Sequence, residues 1–255
     1  MTASADANPP KPLPSWALQP LAVLDTETTG LYPAAGDRVI EVAVVAFDRG
    51  VITDRWSTLV DPGKPLDAEV TQLTGINTAD LEGQPPFAAI IPVLLEKLKG
   101  RVLVAYNASF DRTFLLHEFG RAGRPWPSGS KWLDPLVFAK ELQRGQGNHK
   151  LGSVAKRLGV PLEEAHRAAA DAECAGWVLL KLAESLPDDF AQVLDNHEKW
   201  EAAQEAERQV WRGRQQRANP RRQGQLDPDL PLNALGPAYP FGDELDPVRA
   251  MYARR

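Results

Sequence analysis

Four carboxylates and one histidine lie in three short segments of this 255-residue chain. The segments are Asp-Thr-Glu-Thr-Thr-Gly from residue 25, Asn-Ala-Ser-Phe-Asp from residue 107, and a histidine followed five positions later by an aspartate. The candidate residues are therefore Asp25, Glu27, Asp111, His166 and Asp171. Four acids gathered in one site would repel one another strongly unless divalent cations lay between them. The set predicts a two-metal centre with a histidine beside it, an arrangement suited to hydrolysing a phosphodiester.

Asp25 and Glu27 come at the end of a short apolar run that is predicted to be a buried strand. Side chains alternate along a strand, so both carboxylates point to one face, about 6–7 Å apart. The carboxyl ends of strands are where open α/β sheets usually place ligand sites. The alternative is an exposed acidic turn. An unpaired charge that directly continues a buried strand would be costly, and this favours a metal site.

Asp111 is predicted to lie in the first turn of a helix that follows a second buried strand, residues 102–106. An acid at that position also stabilises the helix through the helix dipole, by about 0.3–1 kcal/mol, and this role needs no metal. The position again follows the carboxyl end of a buried strand. That placement favours a metal ligand.

Asp171 shares a helical face with Ala175, Val178 and Leu182, the stripe expected to pack onto the sheet. An acid on a buried stripe needs a cation or a hydrogen-bonding partner. His166 precedes this helix and is expected to lie on a loop above the same place. The other histidines, His117, His149 and His197, are interpreted as surface or packing residues.

The elements that must position these residues follow from hydrophobic patterning and from turn signals. We predict strands over residues 21–26, 39–47, 51–60, 102–106 and 132–137, with a hairpin turn at 48–50. Helices are predicted over residues 67–74, 87–99, 109–121, 151–158, 168–186 and 188 to about 211. Three β-rich segments followed by alternating helices and strands indicate an α/β domain with a mixed five-stranded sheet flanked by helices.

Composition sets the domain limits and the expected location. Residues 1–19 are rich in proline and are predicted to be a flexible leader, residues 20–187 the catalytic domain, and residues 188–255 a helical and then disordered extension rich in Arg, Pro and Gly. The single cysteine, Cys174, is consistent with a reducing compartment. With no apolar signal core and no run approaching the ~18–20 residues of a membrane helix, we expect a cytoplasmic protein with no membrane partner.

Together the three ordered segments resemble the motifs of the DEDDh family of 3′–5′ exonucleases, which has the ribonuclease H-like fold. Within that family the chain is similar to the epsilon proofreading subunits of bacterial replicative DNA polymerase. The resemblance covers about residues 18–186. It implies an enzyme that releases nucleoside 5′-monophosphates from DNA 3′ ends, in proofreading or repair.

The resemblance also implies a role for each residue. Asp25, Glu27, Asp111 and Asp171 would bind two divalent cations, Mg²⁺ or Mn²⁺, with Asp25 shared by both ions, and His166 would be the general base. The pocket for the 3′-terminal nucleotide would be formed by Thr28, Thr29, Leu31, Leu73, Thr74, Tyr106, Asn107 and Phe110, with Leu73 as a wedge against the last bases.

Partners are expected from the same resemblance. The substrate would be a single-stranded or frayed DNA 3′ end, and the C-terminal extension would contact the replicative polymerase and the sliding clamp. Residues 225–230 are weakly similar to a clamp-binding peptide. Six arginines between Arg208 and Arg222 form either a phosphate-binding segment, with Trp211 for base stacking, or a solvated face.

Two alternative functions remain open at the level of sequence. One is an RNA 3′-end-trimming exonuclease of the same family, because the choice between DNA and RNA depends on tolerance of a 2′-hydroxyl. The other is a catalytically silent subunit that binds a polymerase or nucleic acid. The complete set of acids and histidine argues against this second alternative.

Overall fold

A computed structural model describes residues 12–162 and 167–218, with side chains described as far as residue 211. The strands are β1 (Leu21–Thr28), β2 (Val39–Asp48), β3 (Val51–Leu59), β4 (Val102–Val104) and β5 (Trp132–Leu133). The helices are α1 (Ala68–Thr74), α2 (Thr78–Leu81), α3 (Phe87–Leu98), α4 (Ala108–Arg121), α5 (Pro135–Leu142), α6 (Leu151–Leu158), α7 (Ala168–Ala183) and α8 (Phe190–Ala218). Within these described ranges, no helix is long and apolar enough to span a membrane.

The five strands form one mixed sheet in the order β3-β2-β1-β4-β5. β2 is antiparallel to both β1 and β3, whereas β1, β4 and β5 run parallel. The β2–β3 hairpin turns at Arg49 and Gly50, which both have positive φ, as a two-residue hairpin loop requires. The carboxyl ends of β1, β4 and β5 therefore meet at one edge of the sheet, and this confirms the predicted α/β fold.

Helices cover both faces of the sheet. On one face, Leu21 and Val23 of β1 pack against α7; on the other, Leu24 packs with side chains of α3 and α4. Helix α7 lies very close to the sheet at Gly176, where an added Cβ would lie 2.4 Å from the ring of Phe47. This close approach brings the first turn of α7 to the end of β1.

The predicted fifth strand over residues 132–137 is wrong beyond Leu133. Asp134 caps α5 by accepting a hydrogen bond from the backbone N–H of Leu136, and Pro135 occupies the first helical position. An Asp-Pro pair is a helix start signal that outweighs the apolar residues after it. The sequence interpretation also missed α2, which begins with a capping box formed by Asn77 and Asp80.

The segment before β1 packs against the start of α8. Residues 1–19 were predicted to form a flexible leader, and this is wrong for Ser15–Leu18, which form a short 3-10 helix. Trp16 is buried, donates a hydrogen bond from Nε1 to the carbonyl of Pro187, and stacks on Phe190 of α8. The helix predicted from residue 188 is present as α8, and its first half packs on the domain through the buried Val193.

Candidate metal-binding active site

Three of the predicted acids meet at the carboxyl end of β1. Asp25, Glu27 and Asp171 each offer a carboxylate oxygen, and these oxygens lie within 4.8 Å of one another. Asp25 and Glu27 continue the face of β1 that carries Leu21 and Val23, and this is the face on which α7 packs. Asp171 lies in the first turn of α7. The strand pattern and the helix stripe together therefore produce the cluster.

Asp111 approaches the same place from the other face of the sheet. It lies in the first turn of α4 and is almost fully buried. Its Oδ1 accepts a hydrogen bond of 2.8 Å from the hydroxyl of Thr26. Thr26 lies between Asp25 and Glu27 in β1, so its side chain points to the opposite face of the sheet. Asp111 is thus next to the three clustered acids and is not one of them. Its charge is nevertheless the strongest of the neighbouring charges that raise the pKa of Asp25.

The acids strongly disfavour one another's ionised form. Burial, and then the charge of Asp171, raises the pKa of Glu27 to about 8. Burial raises the pKa of Asp111 to about 7, although the hydrogen bond from Thr26 acts in the opposite direction. Burial, and then the charges of four neighbouring acids, also raise the pKa of Asp25. A bound divalent cation would remove this repulsion, and the all-oxygen donor set suits Mg²⁺ or Mn²⁺.

Glu41 is a fifth acid of this region; it is buried, and the sequence interpretation missed it. It lies in β2 directly opposite Glu27 and faces the same side of the sheet. Its Oε1 lies 3.5 Å from Nη2 of Arg167, and its Oε2 has no hydrogen-bond partner among the described residues. The available signal was one acid inside an otherwise apolar strand, where a charge is costly without a partner.

Another acid, Asp134, organises the turn between β4 and α4. Its two carboxylate oxygens accept backbone N–H groups from Asn107 and Ala108, each at 2.9 Å. Asn107 has a left-handed backbone conformation with φ of 67°, which is uncommon for a residue other than glycine. The hydrogen bonds to Asp134 hold this turn, and the turn fixes where α4 starts and therefore where Asp111 lies.

Two of the predicted pocket residues are exposed to solvent: the exposed fraction is 44% for Leu31 and 58% for Leu73. Phe110 and Asn107 are half-buried, and Phe110 packs against Phe114. Exposed apolar groups of this kind are available for contact with a base or a sugar.

The predicted pocket residues with hydroxyl groups have intramolecular partners. Thr28 donates to the carbonyl of Gly30, Thr29 to Asp37 and Thr74 to the carbonyl of Val70. Tyr106 donates to the carbonyl of His149, and burial raises the pKa of its phenol. These hydroxyls shape the loops around the site. His166 lies outside the described residues, which resume at Arg167.

Comparison with known proteins identifies the family. A family model described as Exonuclease (RNase_T) matches residues 22–179, well over half of the chain. The chain belongs to this exonuclease family. The match covers the whole sheet except the first residue of β1, and it includes the three clustered acids.

Curated relatives carry similar domains within much longer proteins. The chain is 34% identical over 168 residues to the 3′-5′ exonuclease DinG of Bacillus subtilis (strain 168), covering 66% of this chain and 18% of the relative. It is 38% identical over 157 residues to the PolC-type DNA polymerase III of Streptococcus thermophilus (strain ATCC BAA-491 / LMD-9), covering 62% of this chain and 11% of the relative. The chain thus spans less than a fifth of the length of either relative.

Solved exonucleases have the same fold. Exonuclease X in complex with 5′ overhanging duplex DNA superposes with a TM-score of 0.57 at 23% identity, covering 69% of this chain and 99% of that one. The nuclease domain of 3′hExo, a DEDDh family member bound to rAMP, gives 0.58 at 18% identity, covering 66% of this chain and 93% of that one. The ribonuclease H-like fold predicted for this exonuclease domain is confirmed.

Proposed function

We propose that this chain is a metal-dependent 3′–5′ exonuclease that releases nucleoside 5′-monophosphates from DNA 3′ ends during proofreading or repair. The observation that carries the proposal is the meeting of Asp25, Glu27 and Asp171 within 4.8 Å, inside a domain of the exonuclease family. Three ionised carboxylates at that separation need cations to be stable. Such a site matches the chemistry of phosphodiester hydrolysis.

Asp25, Glu27, Asp111 and Asp171 would hold two cations, Mg²⁺ or Mn²⁺. Asp25 would be shared by both ions, since it lies with Glu27 and Asp171 and also interacts most strongly with the charge of Asp111. Bound there, the cations would lower the pKa of a water molecule and offset negative charge at the phosphate. The hydrogen bond from Thr26 fixes the orientation of the Asp111 carboxylate, so this ligand is positioned before a cation binds.

His166 would act as the general base. In its neutral form it would accept a proton from the attacking water, and a positioned base of this kind contributes about 10²–10⁴-fold in rate. The proposal rests on the family resemblance and on the neighbouring contact between Arg167 and the buried Glu41, which ties the start of α7 to the strand beside the acids.

The substrate proposed is a DNA 3′ end. The name of one relative, the PolC-type DNA polymerase III, supports DNA. The exposed Leu31 and Leu73 would contact the terminal nucleotide, and an unpaired end suits them because no base pair must first be melted. RNA is the second candidate, because one structural neighbour is described with a histone mRNA stem-loop. Contacts with polymerase or clamp would come from the C-terminal extension, where residues 225–230 lie outside the described residues.

The test uses end-labelled single-stranded DNA, mismatched-end duplex DNA and single-stranded RNA with Mg²⁺ or Mn²⁺. We expect release of mononucleotides from the DNA 3′ ends, complete loss with a chelator, no activity for Asp25→Ala, and a rate about 10²–10⁴-fold lower for His166→Ala. Asp25→Ala should remain folded, as judged by circular dichroism. Absence of chelator-sensitive release from every substrate would support a silent subunit, and a preference for RNA would support end trimming.

A further inference from the structure

His197 of α8 makes a hydrogen bond that reaches the active-site edge of the sheet. Its Nε2 accepts the backbone N–H of Asp134 at 3.0 Å, and the ring is almost fully buried. The ring also packs edge-on against Phe138 of α5, with centroids 5.3 Å apart. Burial lowers the pKa of His197 to about 4, so the imidazole is neutral at physiological pH and can accept this hydrogen bond.

The acceptor is needed because β5 is the last strand of the sheet. The carbonyls of Lys131 and Leu133 accept hydrogen bonds from the N–H groups of Leu103 in β4 and of Ala105 just after it. Backbone groups alternate in direction along a strand, so those of Trp132 and Asp134 point away from the sheet. The N–H of Asp134 therefore has no strand to bond with. Helix α8 covers this edge, and His197 supplies the missing acceptor where an unsatisfied buried N–H would be costly.

Asp134 in turn holds the turn that starts α4. Its carboxylate oxygens accept N–H groups from Asn107, Ala108 and Leu136 at 2.8–2.9 Å. The left-handed conformation of Asn107 depends on such external hydrogen bonds. Asp111 follows within the same helical turn, so a shift of Asp134 would move Asp111.

We propose that His197 is a positioning residue of the active site, holding Asp134 and through it the Asn107–Ala108 turn and Asp111. This proposal rests on the proposed function for its effect on catalysis. His197 lies beyond residue 179, where the family match ends. Helix α8 therefore completes the site from outside the exonuclease motifs.

Several other contacts hold α8 in place, so loss of the His197 acceptor should not undock it. Trp16 stacks on Phe190, Trp200 packs on Phe138, and Gln204 donates from Nε2 to the carbonyl of Val137 at 3.0 Å. Gln204 joins α8 to α5 without touching Asp134. Gln204→Ala is therefore a matched control for loss of a single α8 hydrogen bond.

The experiment compares His197→Phe, which keeps an aromatic ring and removes the acceptor, with His197→Gln, which keeps an acceptor. For His197→Phe we expect kcat to fall by about 10–100-fold, the half-maximal Mn²⁺ concentration to rise by a similar factor, and the KM for single-stranded DNA to stay within about twofold. His197→Gln should recover most of both losses. Gln204→Ala should match the wild-type protein in all three quantities.

Amide hydrogen exchange gives a readout that does not need activity. Exchange at the N–H groups of Asn107 and Ala108 should be faster in His197→Phe than in the wild type, His197→Gln or Gln204→Ala. Unchanged exchange, or equal loss of kcat in the Phe, Gln and Gln204→Ala variants, would overturn the positioning role. If the wild-type protein degrades no substrate, the proposed function fails, and Mn²⁺ affinity and exchange still decide whether His197 positions the turn.

Discussion

Individual acids of the cluster are held at separations that favour protonation when no cation is present. The pKa of Glu27 is raised to about 8 by burial and by Asp171, and in the unfolded chain this carboxyl would have its ordinary value near 4.5. The metal-free folded protein therefore binds more protons than the unfolded chain between these two values. Stability contributed by this group is present below about pH 4.5 and is lost as the pH rises through about 8.

We predict that the free energy of unfolding of the metal-free protein falls between pH 5 and pH 8. Glu27→Gln should reduce the slope of the free energy of unfolding against pH, because the amide does not ionise. Saturating Mn²⁺ should raise the free energy of unfolding most at pH 8. Urea denaturation at several pH values, with chelator and with Mn²⁺, measures both effects. A slope that is the same in wild type and Glu27→Gln would contradict the prediction.

A second prediction concerns Thr26, which donates to Oδ1 of Asp111. In Thr26→Val the buried carboxylate loses this donor, so the pKa of Asp111 should rise further and its orientation should loosen. We expect activity at subsaturating Mn²⁺ to fall by about 10–100-fold. Thr26→Ser keeps the hydroxyl and is the control; equal activity of the Val and Ser variants would exclude this role.

At the scale of elements, the distance between α7 and the sheet decides whether Asp171 reaches β1. In Gly176→Ala the new Cβ would lie 2.4 Å from the Phe47 ring, so α7 must move outward. We predict a loss of about 1–3 kcal/mol in the free energy of unfolding and weaker Mn²⁺ binding.

Gly120 of α4 supplies the control for this change. A Cβ there would meet nothing within 4 Å, so Gly120→Ala should stabilise the protein by about 0.4–1 kcal/mol. Thermal or urea unfolding of both variants, with Mn²⁺ titration, measures the difference. Equal stability of the two alanine variants would show that α7 can move without cost.

Most element types could be predicted from the sequence because they depend on local patterns, whereas the ends of β4 and β5 and the helices α2 and α5 could not. The apolar run before Asp25 and the helical stripe through Asp171 placed both residues correctly. The position of Glu41 opposite Glu27 depends on the register of β1 with β2, which no local pattern specifies. The bond from Asp134 to His197 joins residues 63 positions apart and follows from how α8 packs on the sheet.

At the scale of the whole molecule, the segment before β1 and the start of α8 close the domain together. Trp16 is 1% exposed, bonds to the carbonyl of Pro187 and stacks on Phe190. We predict that Trp16→Ala lowers the free energy of unfolding by about 3–5 kcal/mol, as for other large core truncations. Trp211, which is 59% exposed, offers the control: Trp211→Ala should change stability by less than about 0.5 kcal/mol.

The hydrogen bond between His197 and Asp134 has a consequence for how the enzyme is made. At about 5–20 residues per second, translation reaches His197 roughly 3–13 s after Asp134. When that interval begins, the sheet, Asp25, Glu27 and Asp111 have already been synthesised; Asp171 is added during it, and the acceptor for Asp134 comes last. The nascent chain would thus fold around an incomplete active site, and full catalytic geometry would be a late event in its synthesis.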